Sequence, residues 1–75
     1  MQEWINSFMK NEVIKFGQKL RGIRLKKKMS QGDIARILNV HRSYISGLER
    51  GVRNPSLLTI QKVAKALNIN AKDLI

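Results

Sequence analysis

Cysteine is absent from all 75 residues, so no disulfide framework and no thiolate metal site can form, and the chain suits a reducing cytoplasm. Histidine occurs once, as His41, with no acidic cluster beside it; a turn residue or a phosphate neighbour is the reading, rather than a metal ligand or general base. The five acidic residues, two of them at capping positions, provide no nucleophile, base and orienting group at recognisable spacing, so no enzyme is expected and no cofactor is called for. The four aromatic residues include no pair that would make a stacking platform for RNA. No apolar run approaches the roughly 18 residues of a membrane span. The opening MQEWINSFMKN lacks the basic segment and apolar core of a signal peptide, so a cytoplasmic, nucleoid-associated bacterial protein is expected. Period-two alternation is missing and the single proline, Pro55, falls in a loop, which excludes strands from the expectation. At this length there is room for one domain and none for a second that senses a small-molecule effector.

What the chain has in excess is positive charge. Fifteen lysines and arginines against five acids give +10, and the pI is near 10.8. Such a chain seeks a polyanion.

The segment SQGDIARILNVHRSYISGLERG, from Ser30 to Gly51, reads as two short helices joined by a tight turn. Ser30 is a good N-cap and Asp33 follows at capping-box spacing, so a helix opens at Gln31. Ile34 and Leu38, with Ile37 beside them, form its inner stripe, and Ala35 leaves space for a second helix crossing closely. Asn39 suits the left-handed residue that ends the helix, and Val40 plugs the corner. Ile45 and Leu48 face inward from the second helix, which stops before Gly51. Its outer face is left with Arg42, Ser43, Ser46, Gly47 and Arg50, which is small, polar and basic.

The flanking sequence supplies a scaffold. Val13, Phe16, Leu20 and Ile23 predict a first helix over residues 11–27; Leu57, Ile60, Val63, Ala64 and Leu67 mark a fourth after the N-cap Ser56. Asn70 and Asp73 have the spacing to open a short fifth helix. The expected organisation is an N-terminal extension, 1–10, followed by one all-α domain, 11–75, with the two-helix unit at about 30–51. Trp4, Ile5, Phe8 and Met9 form an apolar group on the extension, expected to pack on the chain's own body.

From about Phe16 to Leu74 the chain resembles the helix-turn-helix family of phage repressors and Cro proteins. The residues that carry the likeness are Arg24, Ser30-Gln31, Ala35, Ile45-Ser46, Leu48-Glu49 and Asn54-Pro55-Ser56-Leu57. Within that family, RSYISGLERGVRNPSL is most similar to the small controller proteins of restriction-modification genes. The resemblance implies a compact five-helix, lambda-repressor-like fold. It also implies an ion pair between Arg24 and Glu49 that joins the first helix to the end of the recognition helix. Lys28 stands where the family usually has glycine.

Roles follow from this likeness and from chemistry. Arg42 and Ser43 open the recognition helix and are candidates to read base edges, with Ser46 one turn on. Gly47 lowers helix propensity by roughly 1 kcal/mol, which either close approach to DNA offsets or nothing does. Gln31 sits at a helix N-terminus suited to a phosphate. Arg50 and Arg53 flank the Gly51 turn and are phosphate candidates, and Lys28, with Lys26 and Lys27, is either a phosphate-steering patch or a solvated helix end. Tyr44 joins the phosphate set through its hydroxyl, with a role in the core as the other reading. Because one recognition helix reads only a few base pairs, a homodimer on a two-fold symmetric operator of double-stranded DNA is expected, with Leu58, Ile69, Leu74 and Ile75 as interface candidates. A phage-type repressor or an antitoxin-type autoregulator shares every one of these features. The rival from another class is a basic module that binds RNA or anionic membrane through charge alone.

Overall fold

The computed structural model describes the backbone of residues 2–75 and the side chains from residue 10 onward. Among these residues there are four α-helices, α1 (Gln2–Lys26), α2 (Gln31–Leu38), α3 (Arg42–Glu49) and α4 (Leu57–Leu67), then a single 3-10 turn, Ala71–Asp73. The expected fifth helix is thus only that turn, and Asn70 makes no side-chain cap to it. The first helix starts well before residue 11, because neither glycine nor proline interrupts the chain before Gly17. The extension expected at residues 1–10 is therefore continuous with α1 from Gln2. The packing expected of Trp4, Ile5, Phe8 and Met9 lies outside the described side chains.

Each helix starts and stops by local chemistry. Ser30 accepts from the Asp33 amide at 2.9 Å while the Asp33 carboxylate accepts from the Ser30 amide at 2.8 Å, a reciprocal capping box. Ser56 caps α4 through the Thr59 amide at 3.0 Å. All four helices then end in one motif, a left-handed residue followed by an apolar one whose amide reaches back five residues. The left-handed residues are Lys28, Asn39, Gly51 and Asn68, with φ of 59°, 56°, 75° and 57°. The amides that follow belong to Met29, Val40, Val52 and Ile69, bonding the carbonyls of Arg24, Ala35, Gly47 and Ala64 at 2.9 to 3.0 Å. Lys28 therefore does not let α1 run on; it takes the left-handed conformation itself, without the freedom glycine would bring.

The core forms where α1, α2, α3 and α4 converge on Leu20, Ile34, Ile45, Leu48, Val63 and Leu67, each fully buried. Removing such a side chain from water is worth roughly 1.5–3 kcal/mol. Gly17 sets the spacing of α1 and α3: a Cβ there would lie 2.3 Å from the Leu48 carbonyl oxygen and 2.7 Å from that of Glu49.

Three apolar expectations change. Ile37 is 57% exposed, because on a helix turning about 100° per residue it lies well off the direction shared by Ile34, Ala35 and Leu38, and α3 and α4 cover only that side. Val40 is on the surface rather than in the corner. Leu74, expected at an interface between copies, is wholly buried in the chain's own core, and Ile69 packs against that core; Leu58 and Ile75 are exposed.

Candidate nucleic-acid interface

The two-helix unit is held to α1 by a buried polar cluster. Arg24 Nε and Nη2 donate to the two carboxylate oxygens of Glu49 at 2.6 and 2.9 Å, and Nη1 donates to the Met29 carbonyl at 2.9 Å. Both side chains are shielded, at 9% and 3% exposure. The hydrogen bonds it donates to Glu49 hold the Arg24 guanidinium charged, above its ordinary value, against the opposing effect of burial. Gln31 adds a third member, its side-chain amide donating to Glu49 at 3.0 Å. The side chain expected to grip a phosphate thus braces the end of α3, with one amide hydrogen still free of Glu49.

With its inner side anchored, α3 turns Arg42 and Ser43 outward, exposed in its first turn, with Ser46 half-buried behind them. His41 precedes the helix and makes no side-chain cap. Arg50 and Arg53 are exposed beyond the C-terminal end of α3. Gly47 points away from the core yet is buried, because the loop after α3 folds over it: the amides of Val52 and Arg53 bond its carbonyl at 3.0 and 3.2 Å. A Cβ at Gly47 would come within 2.6 Å of the Arg53 Cγ. The glycine therefore seats Arg53, a use not expected from its place on the outer face, and it offers no surface for a base.

Tyr44 lies half-buried against the core with its hydroxyl 3.3 Å from Thr59 Oγ1, which is 2.9 Å from the Ser56 hydroxyl. Its ring therefore belongs to the scaffold and its hydroxyl ties α3 to the start of α4. Lys26, Lys27 and Lys28 are exposed where α1 stops. The nearby carboxylates are already engaged: Glu49 is neutralised by Arg24, and Asp33 serves the Ser30 cap and pairs with Arg36. The exposed side of the unit is left strongly positive. Among the described residues no group of acidic residues and histidine is placed to hold a metal ion, and no helix is long and apolar enough to cross a membrane.

A helix-turn-helix family model matches residues 20–74. Over 61 residues the chain is 54% identical to Control protein C.BamHI of Bacillus amyloliquefaciens, an alignment covering 80% of this chain and 75% of that protein. The chain belongs to the helix-turn-helix family, among its restriction-modification controllers. The crystal structure of the controller protein C.AhdI from Aeromonas hydrophila matches with a TM-score of 0.82 and 45% identity, covering 87% of this chain and 98% of that one. The controller C.Esp1396I, solved as a tetramer with its natural 35 base-pair operator, matches with a TM-score of 0.76 and 33% identity, over 84% of this chain and 83% of that one.

Against this controller fold, sequence reasoning missed Gly17, Thr59 and the carbonyl of Met29. Gly17 had a signal: a glycine inside an apolar helical pattern lowers propensity, and close backbone approach is the usual reason. The other two had none, since both act only once distant segments meet.

Proposed function

We propose that the chain is a homodimeric, sequence-specific regulator of transcription that binds double-stranded DNA and controls restriction-modification genes from the bacterial cytoplasm. The observation that carries this reading is the exposed, basic first turn of α3, braced from behind by the buried Arg24–Glu49–Gln31 cluster. Arg42 takes O6 and N7 of a guanine, a pairing worth roughly 1–3 kcal/mol of discrimination, while Ser43 and Ser46 read neighbouring edges. Arg50, Arg53 and Lys28 meet the sugar-phosphate backbone, and Gln31 offers a phosphate its remaining amide hydrogen and the N-terminus of α2. The Tyr44 hydroxyl, already near Thr59, contributes at the edge of the same surface. The role is recognition, with no catalytic step.

Two copies bring two α3 helices to successive turns of the duplex. Their meeting place is a groove of about 200 Å³ that includes Val13, Phe16, Pro55, Ile60 and Ile75, with Glu12 and Lys15 at its edge. Leu74 supplies its floor, and Leu58 and Ile75 are the exposed apolar side chains nearby in sequence.

Selection of bound sequences from a random duplex pool at about 150 mM salt, where non-specific phosphate attraction is suppressed, tests the reading. A two-fold symmetric consensus with half-site centres about 10 base pairs apart is expected. Absence of a consensus, with binding that vanishes as salt rises, favours the non-specific polyanion binder.

A further inference from the structure

A second surface meets the proposed DNA-binding face at Tyr44. Where the end of α2 meets α4, two depressions of about 170 and 500 Å³ adjoin, sharing Leu38 and Lys62. Ile37, 57% exposed, lines the larger, and Val40 and Tyr44 line the smaller. Lys65 joins Lys62 at the edge of the larger one, and among the described residues no carboxylate lines either. The nearest acid along α2, Asp33, is held by Ser30 and Arg36.

We propose that this cleft is a docking site for an acidic amphipathic helix of another protein, its apolar face on Ile37, Leu38 and Val40 and its carboxylates on Lys62 and Lys65. Charge complementarity selects that occupant. A second copy of this chain carries five acids against fifteen basic residues, and two of them, Asp33 and Glu49, are already engaged, so it matches these lysines poorly. DNA would satisfy the lysines but leave Ile37 and Val40 against phosphate, with no apolar partner. A helix laid in a groove satisfies its own backbone and presents anchors at three- and four-residue spacing, which suits a short cleft between two helices. Because Tyr44 belongs to α3 and Val40 lies just before it, a docked partner stands beside whatever α3 holds.

The probe is a helix-stabilised peptide of about 15 residues with leucines at i, i+3, i+4 and i+7 and glutamates elsewhere, compared with a permuted peptide of identical composition. Amide shift changes in the full chain are expected to cluster at Ile37, Leu38, Val40, Lys62 and Lys65. Ile37→Ser and the pair Lys62→Glu/Lys65→Glu should each weaken the amphipathic peptide roughly tenfold, while Lys26→Glu/Lys27→Glu leaves it within about twofold. The substituted side chains are all exposed, so unchanged thermal midpoints will show that the fold is intact. Equal binding of the permuted peptide, shifts that follow Arg42, Arg50 and Arg53, or no binding at all overturns the proposal. DNA binding by Ile37→Ser should match that of the parent chain, so failure here and failure of the DNA reading are told apart.

Discussion

Replacing Glu49 with alanine removes the carboxylate that takes two hydrogen bonds from Arg24 and one from Gln31. The Arg24 guanidinium is then left in a site where its side chain is 9% exposed, with the Met29 carbonyl as its remaining protein partner. Breaking a buried pair by deleting one member costs about 3–5 kcal/mol. A domain of this length has about 4–11 kcal/mol in all, so Glu49→Ala should lose at least about a quarter of it and, at the lower end of that range, unfold at 25 °C. Arg24→Ala strands the 3%-exposed Glu49 side chain in the same way, with Gln31 as its remaining partner. In Arg24→Ala/Glu49→Ala neither charge is stranded, so the double variant should be more stable than the sum of the singles implies, by about 2–3 kcal/mol. Urea titrations followed by far-UV circular dichroism, at one fixed protein concentration so that dimerisation does not distort the comparison, give the three values. Glu49→Gln keeps an acceptor for Arg24 and serves if Glu49→Ala does not fold; its loss should be smaller, about 1.5–3 kcal/mol. Single losses that add within about 0.5 kcal/mol would rule out this coupling, because they would mean that each charge finds solvent on its own.

Lys28→Gly relieves a left-handed lysine at the end of α1 and should raise stability by about 1 kcal/mol in the same titration; a loss would show that the lysine stem does more there than its backbone strain takes away. Gly17→Ala puts a methyl group against two backbone carbonyls that cannot yield without separating α1 from α3, and should destabilise by about 2–3 kcal/mol even though alanine is the better helix former. Gly47→Ala meets only the stem of Arg53, which can swing aside, so its midpoint should stay close to that of the parent chain. The Asp33 carboxyl is held below its ordinary value of 3.8, first by the Ser30 amide and then by the Ser30 side chain, so its contribution is full above that value and is lost as pH falls through the lowered one. The stability gap between the parent chain and Asp33→Asn should therefore be constant above about pH 5 and close below about pH 4; a gap that persists down to pH 2 would contradict the cap.

Features that depend on near neighbours in the chain could be read from residues alone. Ser30 with Asp33, Asn39, Gly51 and Ser56 set helix ends through contacts within a turn of themselves, and each sits in the structure where its chemistry places it. The ion pair of Arg24 with Glu49 joins residues 25 apart and came only from the family resemblance. Ile37 and Val40 were misplaced because an apolar stripe on α2 says nothing of how far α3 and α4 wrap around it. Gly47 was misplaced because a helical projection omits the loop that returns over it. Leu74 looked spare because the last helical periods of the chain are too short to show which way they fold; the 3-10 turn carries it into the core. Of the candidate interface, the exposed residues Arg42, Ser43, Arg50 and Arg53 lie on the surface as their pattern implied, whereas Gln31 and Tyr44 are partly taken up in the scaffold.

Whether the first turn of α3 reads base edges in two symmetric half-sites is open to a single experiment. Repeating the duplex selection with Arg42→Gln tests it most directly, because glutamine pairs with adenine N6 and N7 where arginine pairs with guanine O6 and N7. A consensus that changes from guanine to adenine at one base pair, mirrored in both half-sites, is expected. A consensus that keeps its sequence while affinity falls evenly across all sites would contradict it, placing Arg42 on phosphate and the reading of sequence elsewhere.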